Sequence, residues 1–321
     1  MRVALTGARG FVGSALRRAL ATSGVPVTAL SRTPPDDFPS SETWIAGELA
    51  DAEVLAQLVR DADAVVHAAA WVHRETSDPA TRDACFAVNL RGTEKLLEAI
   101  ARRRVALPFV NVGTTAVYGD RFVDRDESGP CEPAGAYGES KLAAERAVLA
   151  ASAAGRVRAV ALRPAMVYGR GAPGNIASLT TLVRRGVAPL VAGGRNRKSM
   201  VHDEDLAAVI QAALARAESV AGGIFNVASE PAPTLREVGD ALAAGLGRGL
   251  VWVPVPGALW SAGAALGHLP SRASGGRRAD LGRTMEVYAS STTVRAAALT
   301  PALGVRLRET VAGLRESVAE R

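Results

Sequence analysis

The first thirteen residues constrain this chain more than any other stretch. Val3-Ala4-Leu5 reads as a short apolar strand. Thr6-Gly7-Ala8-Arg9-Gly10-Phe11-Val12-Gly13 follows it directly and opens an amphipathic helix over 11–23. Glycines in that setting serve three needs: a tight turn, close approach of backbone to a bound diphosphate, and close packing of helix on strand. The helix start then offers its unpaired N–H groups to an anion. A glycine triplet alone is a weak signal. Placed straight after the first strand, it points to a dinucleotide site.

The same alternation continues through the first half. Short apolar strands at 27–30, 64–67, 109–112 and 159–162 are separated by helical patterns over 51–60, 93–103 and 137–154. This rhythm predicts an α/β fold, a Rossmann-type doubly wound parallel sheet covered on both faces. After Pro164 the rhythm changes to a glycine-rich loop at 169–174, a helix at 177–185 and a polar basic loop at 193–198. A helix at 203–218 and a strand at 224–227 return to the sheet. Beyond Thr234 the chain reads as helical and loop-rich, punctuated by Pro254, Pro256, Pro270 and Pro301. The expected division is a dinucleotide-binding domain, 1–164 plus 200–230, and a smaller, mostly helical substrate-binding domain, 165–199 plus 231–321.

Composition closes off other classes. Of 38 basic residues only Lys95, Lys141 and Lys198 are lysine, and the net charge is +6. The arginine excess reflects the Arg-, Ala- and Gly-heavy composition, and no like-charge run exceeds Arg102-Arg103-Arg104, so no nucleic-acid partner is expected. Cys85 and Cys131 have no metal-like spacing; no metal is expected, and a reducing compartment is the default. The N-terminus lacks an apolar signal region. The uncharged run 251–270 contains Pro254 and Pro256, so no membrane span is expected and the location is read as cytoplasmic.

The end of the second strand decides which dinucleotide is expected. NAD sites place Asp or Glu there for the ribose 2′-hydroxyl. This chain has Ser31 and Arg32, with Arg9 in the glycine loop, and guanidinium groups suit a 2′-phosphate. NADP is therefore expected over NAD, with NAD possible as the alternative. Glu48, followed by Leu49, sits past the third strand and can accept from an adenine amino group. Ala68, Ala69 and Ala70 follow His67 as small residues that let the chain pass close to a cofactor.

Tyr137-Gly138-Glu139-Ser140-Lys141 starts a helix and puts Tyr137 and Lys141 on one face. A phenol is a poor acid or base at neutral pH; an ammonium beside it, helped by a cationic nicotinamide, is expected to lower its pKa. Thr114 lies just past the strand ending at Val112, at the carboxyl edge of the sheet. Its hydroxyl can bond the substrate oxygen that Tyr137 protonates.

With these motifs in place the chain resembles the extended short-chain dehydrogenase/reductase family, the NAD-dependent epimerase/dehydratase group. The resemblance rests on TGARGFVGS, HAAA, Asn89-Leu90-Arg91-Gly92-Thr93, GTTAVYG, YGESK, Leu162-Arg163-Pro164 and Val201-His202-Asp203-Glu204-Asp205. It implies that Thr114, rather than Thr115, joins Tyr137 and Lys141 as catalytic, and that Lys141 bonds the nicotinamide ribose. The segment after Arg163-Pro164 is implied to contact the nicotinamide. Asn89 and Val112 are counted with the cofactor-binding residues, and Thr114 and Thr115 with those that meet substrate. A homodimer through the helices at 93–103 and 137–154 is expected from the resemblance alone.

Departures narrow the reaction. Sugar 4,6-dehydratases carry Asp-Glu directly after the catalytic hydroxyl, where this chain has Thr115 and Ala116. Epimerase-reductases of the fucose-synthase type need a cysteine beside it, and both cysteines lie elsewhere. The middle of the chain is similar to UDP-N-acetylquinovosamine-type 4-ketoreductases, through Trp71-Val72-His73, Gly174-Asn175 and Arg195-Asn196-Arg197-Lys198-Ser199. That likeness implies a nucleotide-sugar substrate (UDP or dTDP) met by Asn175, Arg197, Lys198 and His73, with Arg197 and Lys198 together neutralising a diphosphate. The expected activity is NADPH-dependent 4-ketoreduction of a nucleotide sugar. The alternatives are a 4-epimerase with tightly held NAD, a reductase of a non-sugar ketone, and a non-catalytic cofactor-sensing or RNA-binding member. Ala165 stands where many nucleotide-sugar enzymes have Asn.

Overall fold

A computed structural model describes residues 1–34, 41–72, 79–267 and 281–319. From the N-terminus, β1 (Val3–Thr6) leads into α1 (Phe11–Thr22), then β2 (Val27–Ser31), β3 (Glu42–Ala46), α2 (Ala52–Val59) and β4 (Ala64–His67). A helical stretch follows, α3 (Pro79–Phe86), a π-helical turn over Ala87–Arg91 and α4 (Gly92–Ala101). Next come β5 (Leu107–Val112), a 3-10 turn over Thr115–Tyr118, β6 (Phe122–Arg125), α5 (Ala136–Ala153) and β7 (Val157–Pro164). The second half runs β8 (Met166–Tyr168), α6 (Asn175–Arg184), β9 (Val187–Leu190), β10 (Met200–His202), α7 (Asp203–Ala215) and β11 (Ile224–Val227). It continues with α8 (Leu235–Gly245), β12 (Val251–Pro254), α9 (Gly257–Gly267), α10 (Leu281–Ala289), β13 (Thr292–Val294), α11 (Leu299–Leu303) and α12 (Thr310–Val318).

Seven strands form one sheet in the order β11-β7-β5-β4-β1-β2-β3. Every pairing in it is parallel. The strand order reverses between β1 and β4, and that is where an open doubly wound sheet leaves a crevice at its carboxyl edge. Strand alternation sorts the cores. Val3 and Leu5 of β1 face α1 and α7, joining Leu16, Leu20, Leu206 and Ile210. Ala4 faces the other way, with Leu55, Val65, Leu96, Ile100 and Val148. The expected parallel sheet, covered on both faces, is the fold observed.

A third core lies off the sheet, where Ile176 and Val183 of α6 meet Val238 and Leu242 of α8 and Leu314 of α12. Leu299 and Leu303 of α11 instead pack back on the sheet-side core. Three two-stranded parallel pairs, β10-β8, β12-β9 and β13-β6, stitch the later segments to the earlier ones. The sequence pattern does not reveal β12 or β13, because segments of three or four residues are too short to carry a readable periodicity. Among the described residues no helix is long and apolar enough to cross a membrane.

Candidate functional site

The glycine loop is shaped by close crossings. Gly7 has φ +74°, and a Cβ there would lie 2.5 Å from the Ala68 carbonyl carbon and the Ala69 nitrogen. A Cβ on Gly13 would fall 2.1 Å from the Gly7 oxygen. Both contacts forbid any side chain, so loop, helix start and the end of β4 are locked together. Gly10 caps α1 without a side chain, and the first turn holds no acidic residue. Ala8 is buried, Phe11 and Val12 are half-buried, and Gly10 is exposed. An uncapped helix start at an open glycine turn, free of carboxylates, fits a diphosphate.

Arg9 reaches the end of β2, where its guanidinium donates to the Thr33 hydroxyl and carbonyl. The Ser31 hydroxyl donates to the same carbonyl. Arg32 and Glu48 are exposed. Leu49 is half-buried against Gly92. Ala68 and Ala69 are half-buried and Ala70 exposed at the crevice mouth.

A polar chain runs behind this loop. The Ala69 N–H donates to Thr6 Oγ1 (3.3 Å), and Thr6 Oγ1 meets His67 Nδ1 at 2.7 Å. His67 Nε2 meets Thr93 Oγ1 at 2.9 Å, and that hydroxyl donates to the Asn89 carbonyl at 2.6 Å. Because Thr93 gives its proton to Asn89, it accepts from Nε2–H, and His67 Nδ1 accepts from Thr6. Burial, and then the nearby Lys141, lower the His67 pKa to about 3, so the ring is neutral.

Asn89 sits in the π-helical turn with its amide fully engaged. It accepts from the Trp71 N–H (2.7 Å) and donates to the Trp71 carbonyl (3.1 Å) and to Ser140 Oγ (2.9 Å). Ser140 in turn donates to the Tyr137 carbonyl at 2.9 Å. Asn89 therefore ties the segment after β4 to the first turn of α5.

Tyr137 and Lys141 lie one helical turn apart in α5. The nearby Thr114 hydroxyl acts to lower the Tyr137 phenol's pKa, but burial is the larger effect and pushes it up. This differs from the expectation that Lys141 lowers it: the buried ammonium, 2% exposed, is turned to the Val112 carbonyl at 2.7 Å. Burial, opposed by Glu145, lowers the Lys141 pKa to about 8. Thr114 also caps the 3-10 turn by accepting from the Ala116 N–H at 3.1 Å, and Thr115 is half-buried beside it.

Arg163 does not face the crevice. Its guanidinium is buried against Glu145 of α5, with Nε to Oε2 at 3.0 Å and Nη2 to Oε1 at 2.6 Å. Pro164 ends β7, buried beside it. The sequence reading missed Glu145; its place eight residues after Tyr137, on the same helix face, is the signal that could have found it.

Asn175 and Lys198 line one cavity of about 190 Å³ together with apolar walls that include Met166, Leu179, Met200 and Tyr288. Lys198 is 4% exposed and donates to the Val287 carbonyl at 2.6 Å. Burial lowers its pKa to about 8. Arg197 is not brought to join it. Its exposed guanidinium donates to the Ala232 carbonyl at 2.6 Å, because successive residues of an extended segment point to opposite sides. His73 lies outside the described residues. His202 caps α7, its Nδ1 accepting from the Glu204 N–H at 3.2 Å.

Comparison with known proteins bears on this geometry. A family model described as the NAD dependent epimerase/dehydratase family matches residues 3–228. The dTDP-6-deoxy-L-talose 4-dehydrogenase (NAD(P)(+)) of Kitasatospora kifunensis is 36% identical over 180 residues, covering 54% of this chain and 55% of that protein. A 3 beta-hydroxysteroid dehydrogenase/Delta 5-->4-isomerase of Mycobacterium tuberculosis is 30% identical over 213 residues, 63% of this chain and 57% of that protein. The chain thus spans little more than half the length of these curated relatives. UDP-glucuronic acid 4-epimerase from Bacillus cereus, solved with UDP-glucuronic acid and NAD, superposes with a TM-score of 0.78 at 19% identity, covering 99% of this chain and 98% of that one. At that identity the likeness speaks for the fold.

Proposed function

The chain belongs to the NAD dependent epimerase/dehydratase family, and from that premise we propose that it is an NADPH-dependent reductase of a 4-keto nucleotide sugar. The observation that carries this reading is the Thr114 hydroxyl set beside the Tyr137 phenol, with a buried Lys141 one helical turn along α5. Thr114 holds a carbonyl oxygen and Tyr137 gives it a proton. The phenol is protonated at neutral pH, so Tyr137 carries the proton that reduction needs, and the ammonium of Lys141 offsets the cost that burial adds to giving it up. Lys141, as an ammonium, balances the phenolate left behind.

Gly7, Ala8, Gly10, Phe11 and Val12 would hold the diphosphate at the start of α1. Arg9, Ser31 and Arg32 would hold a 2′-phosphate, and Glu48 and Leu49 the adenine. Ala68, Ala69, Ala70 and Val112 would flank the cofactor, while Asn89, Arg163 and Pro164 shape its site from behind. When bound, the nicotinamide dinucleotide supplies the two-electron reduction.

Segments 165–199 and 231–321 would form the substrate side, with Asn175 and Lys198 in one cavity and Thr115 near the sugar. The absence of a carboxylate at Thr115 and Ala116 argues against dehydration. The Kitasatospora relative, by its name, acts at position 4 of a dTDP-sugar. Homodimer formation through α4 and α5 belongs to the same reading. A second reading, reduction of an apolar non-sugar ketone, draws support from the apolar walls around Lys198.

The test begins with absorbance and mass analysis of any dinucleotide that co-purifies, followed by NADPH oxidation with a 4-keto-6-deoxy UDP-sugar. Turnover is expected, with NADPH preferred over NADH. Tyr137→Phe should lower kcat by about a hundredfold or more while leaving NADPH affinity intact. Arg32→Ala should weaken NADPH and spare NADH. Retained NAD with epimerised sugar, or turnover of steroid-like ketones only, would overturn the reading.

A further inference from the structure

Residues spaced by four on a helix line one face, and on α5 that face carries Tyr137, Lys141 and Glu145. Glu145 is 2% exposed, and both its oxygens are engaged by Arg163, itself 3% exposed on β7. Arg163 is fixed in turn, since its Nη1 donates to the Tyr118 hydroxyl at 2.7 Å and that hydroxyl donates to Asn226 Oδ1 at 2.9 Å. The carboxylate sits close behind the ammonium. A Cβ on Gly113 would lie 3.7 Å from Glu145 Oε2. Gly113 follows Val112, whose carbonyl takes Lys141 Nζ.

Other ionisable groups reach this place from every element packed there. Tyr137 comes from α5, His67 from β4, Cys85 from α3 and Arg163 from β7. The imidazole is neutral and burial pushes the Cys85 thiol up, so of these groups Glu145 alone supplies negative charge. Arg163 also stops Glu145 from swinging round to pair directly with Lys141, which would pull Nζ away from Val112.

We propose that Glu145 is a positioning residue for the reaction: clamped by Arg163, its carboxylate keeps the buried Lys141 charged and held at the Val112 carbonyl, the end of β5. The proposal rests on the reading of Tyr137 and Lys141 as the reacting pair. Burial alone strips a proton from such a lysine, and Glu145 is the group that opposes it. Without that carboxylate Lys141 turns neutral near pH 7, and the phenolate left after proton transfer loses its counter-charge. Substrate binding is untouched, so the loss falls on kcat rather than KM.

The chain has only three lysines, so lysine-selective 13Cε labelling gives three NMR signals whose titration can be followed in the full chain without substrate. Lys141→Met assigns the signal of interest. E145Q should move the Lys141 midpoint acidward by about one pH unit, leave Lys95 and Lys198 in place, and bring the alkaline fall of kcat down by the same amount. Because a lone buried guanidinium can unfold the chain, E145M/R163M, which replaces the pair with apolar side chains, serves as the second variant; a smaller shift of the same sign is expected. An unmoved Lys141 midpoint in either folded variant overturns the proposal. A shifted midpoint in a chain that reduces no nucleotide sugar supports it while rejecting the substrate reading.

Discussion

Lys141 is a cation held almost wholly out of water, and its burial has a sign that can be measured. Its folded pKa of about 8 lies below the ordinary lysine value of 10.5. Below pH 8 both folded and unfolded chains hold the proton, and the folded state carries the full penalty, on the order of 3 kcal/mol. Between about pH 8 and 10.5 the unfolded state binds more protons, so this penalty is relieved as pH rises. Lys141→Met should therefore be more stable than the parent at pH 7 in urea titration, even after losing the bond to Val112, and should flatten the rise above pH 8. A variant less stable at pH 7 would show that the bond outweighs the burial. Thr114, Tyr137 and Lys141 were legible in the sequence because four-residue spacing and the end of a strand are local facts. Glu145 with Arg163 was not, since their pairing depends on α5 lying over β7. Nor was the parting of Arg197 from Lys198, which needs the bridges that fix each side of that segment.

At the scale of elements, β5 carries an anomaly. Asn111 is fully buried, and among the described residues both of its amide atoms lack a hydrogen-bond partner. An unpaired buried amide destabilises, and valine suits a parallel strand. Asn111→Val should raise stability by about 1–2 kcal/mol, read as a higher midpoint in thermal unfolding; a lower midpoint would mean that the amide is satisfied in solution. The main strands and helices of the first half were readable because each is an uninterrupted apolar run or a helical stripe. The π-helical turn was not, because an extra residue in a turn leaves no mark on a helical pattern of that length. It matters all the same, since it points Asn89 inward to bind both Trp71 and Ser140.

Across the whole molecule, parallel pairing makes the architecture depend on distant segments. The strand that flanks β7 is β11, some sixty residues later in the chain. A polypeptide ended after Pro164 would leave the Val157–Pro164 strand with one side of its ladder bare, and Ala159, Val160, Ala161 and Leu162 are all 0% exposed in the folded structure. Sedimentation should find that fragment aggregated, and extension through residue 230 should reduce the aggregation; a monodisperse shorter fragment would refute this account. The sequence made the strand at 224–227 visible, but its neighbour only became visible in three dimensions. During synthesis from the N-terminus, then, the ribosome has delivered a nearly finished platform long before it delivers the piece that seals its rim. In that interval the growing polypeptide is open to pairing with strangers, and a chaperone that shields strand edges would act there.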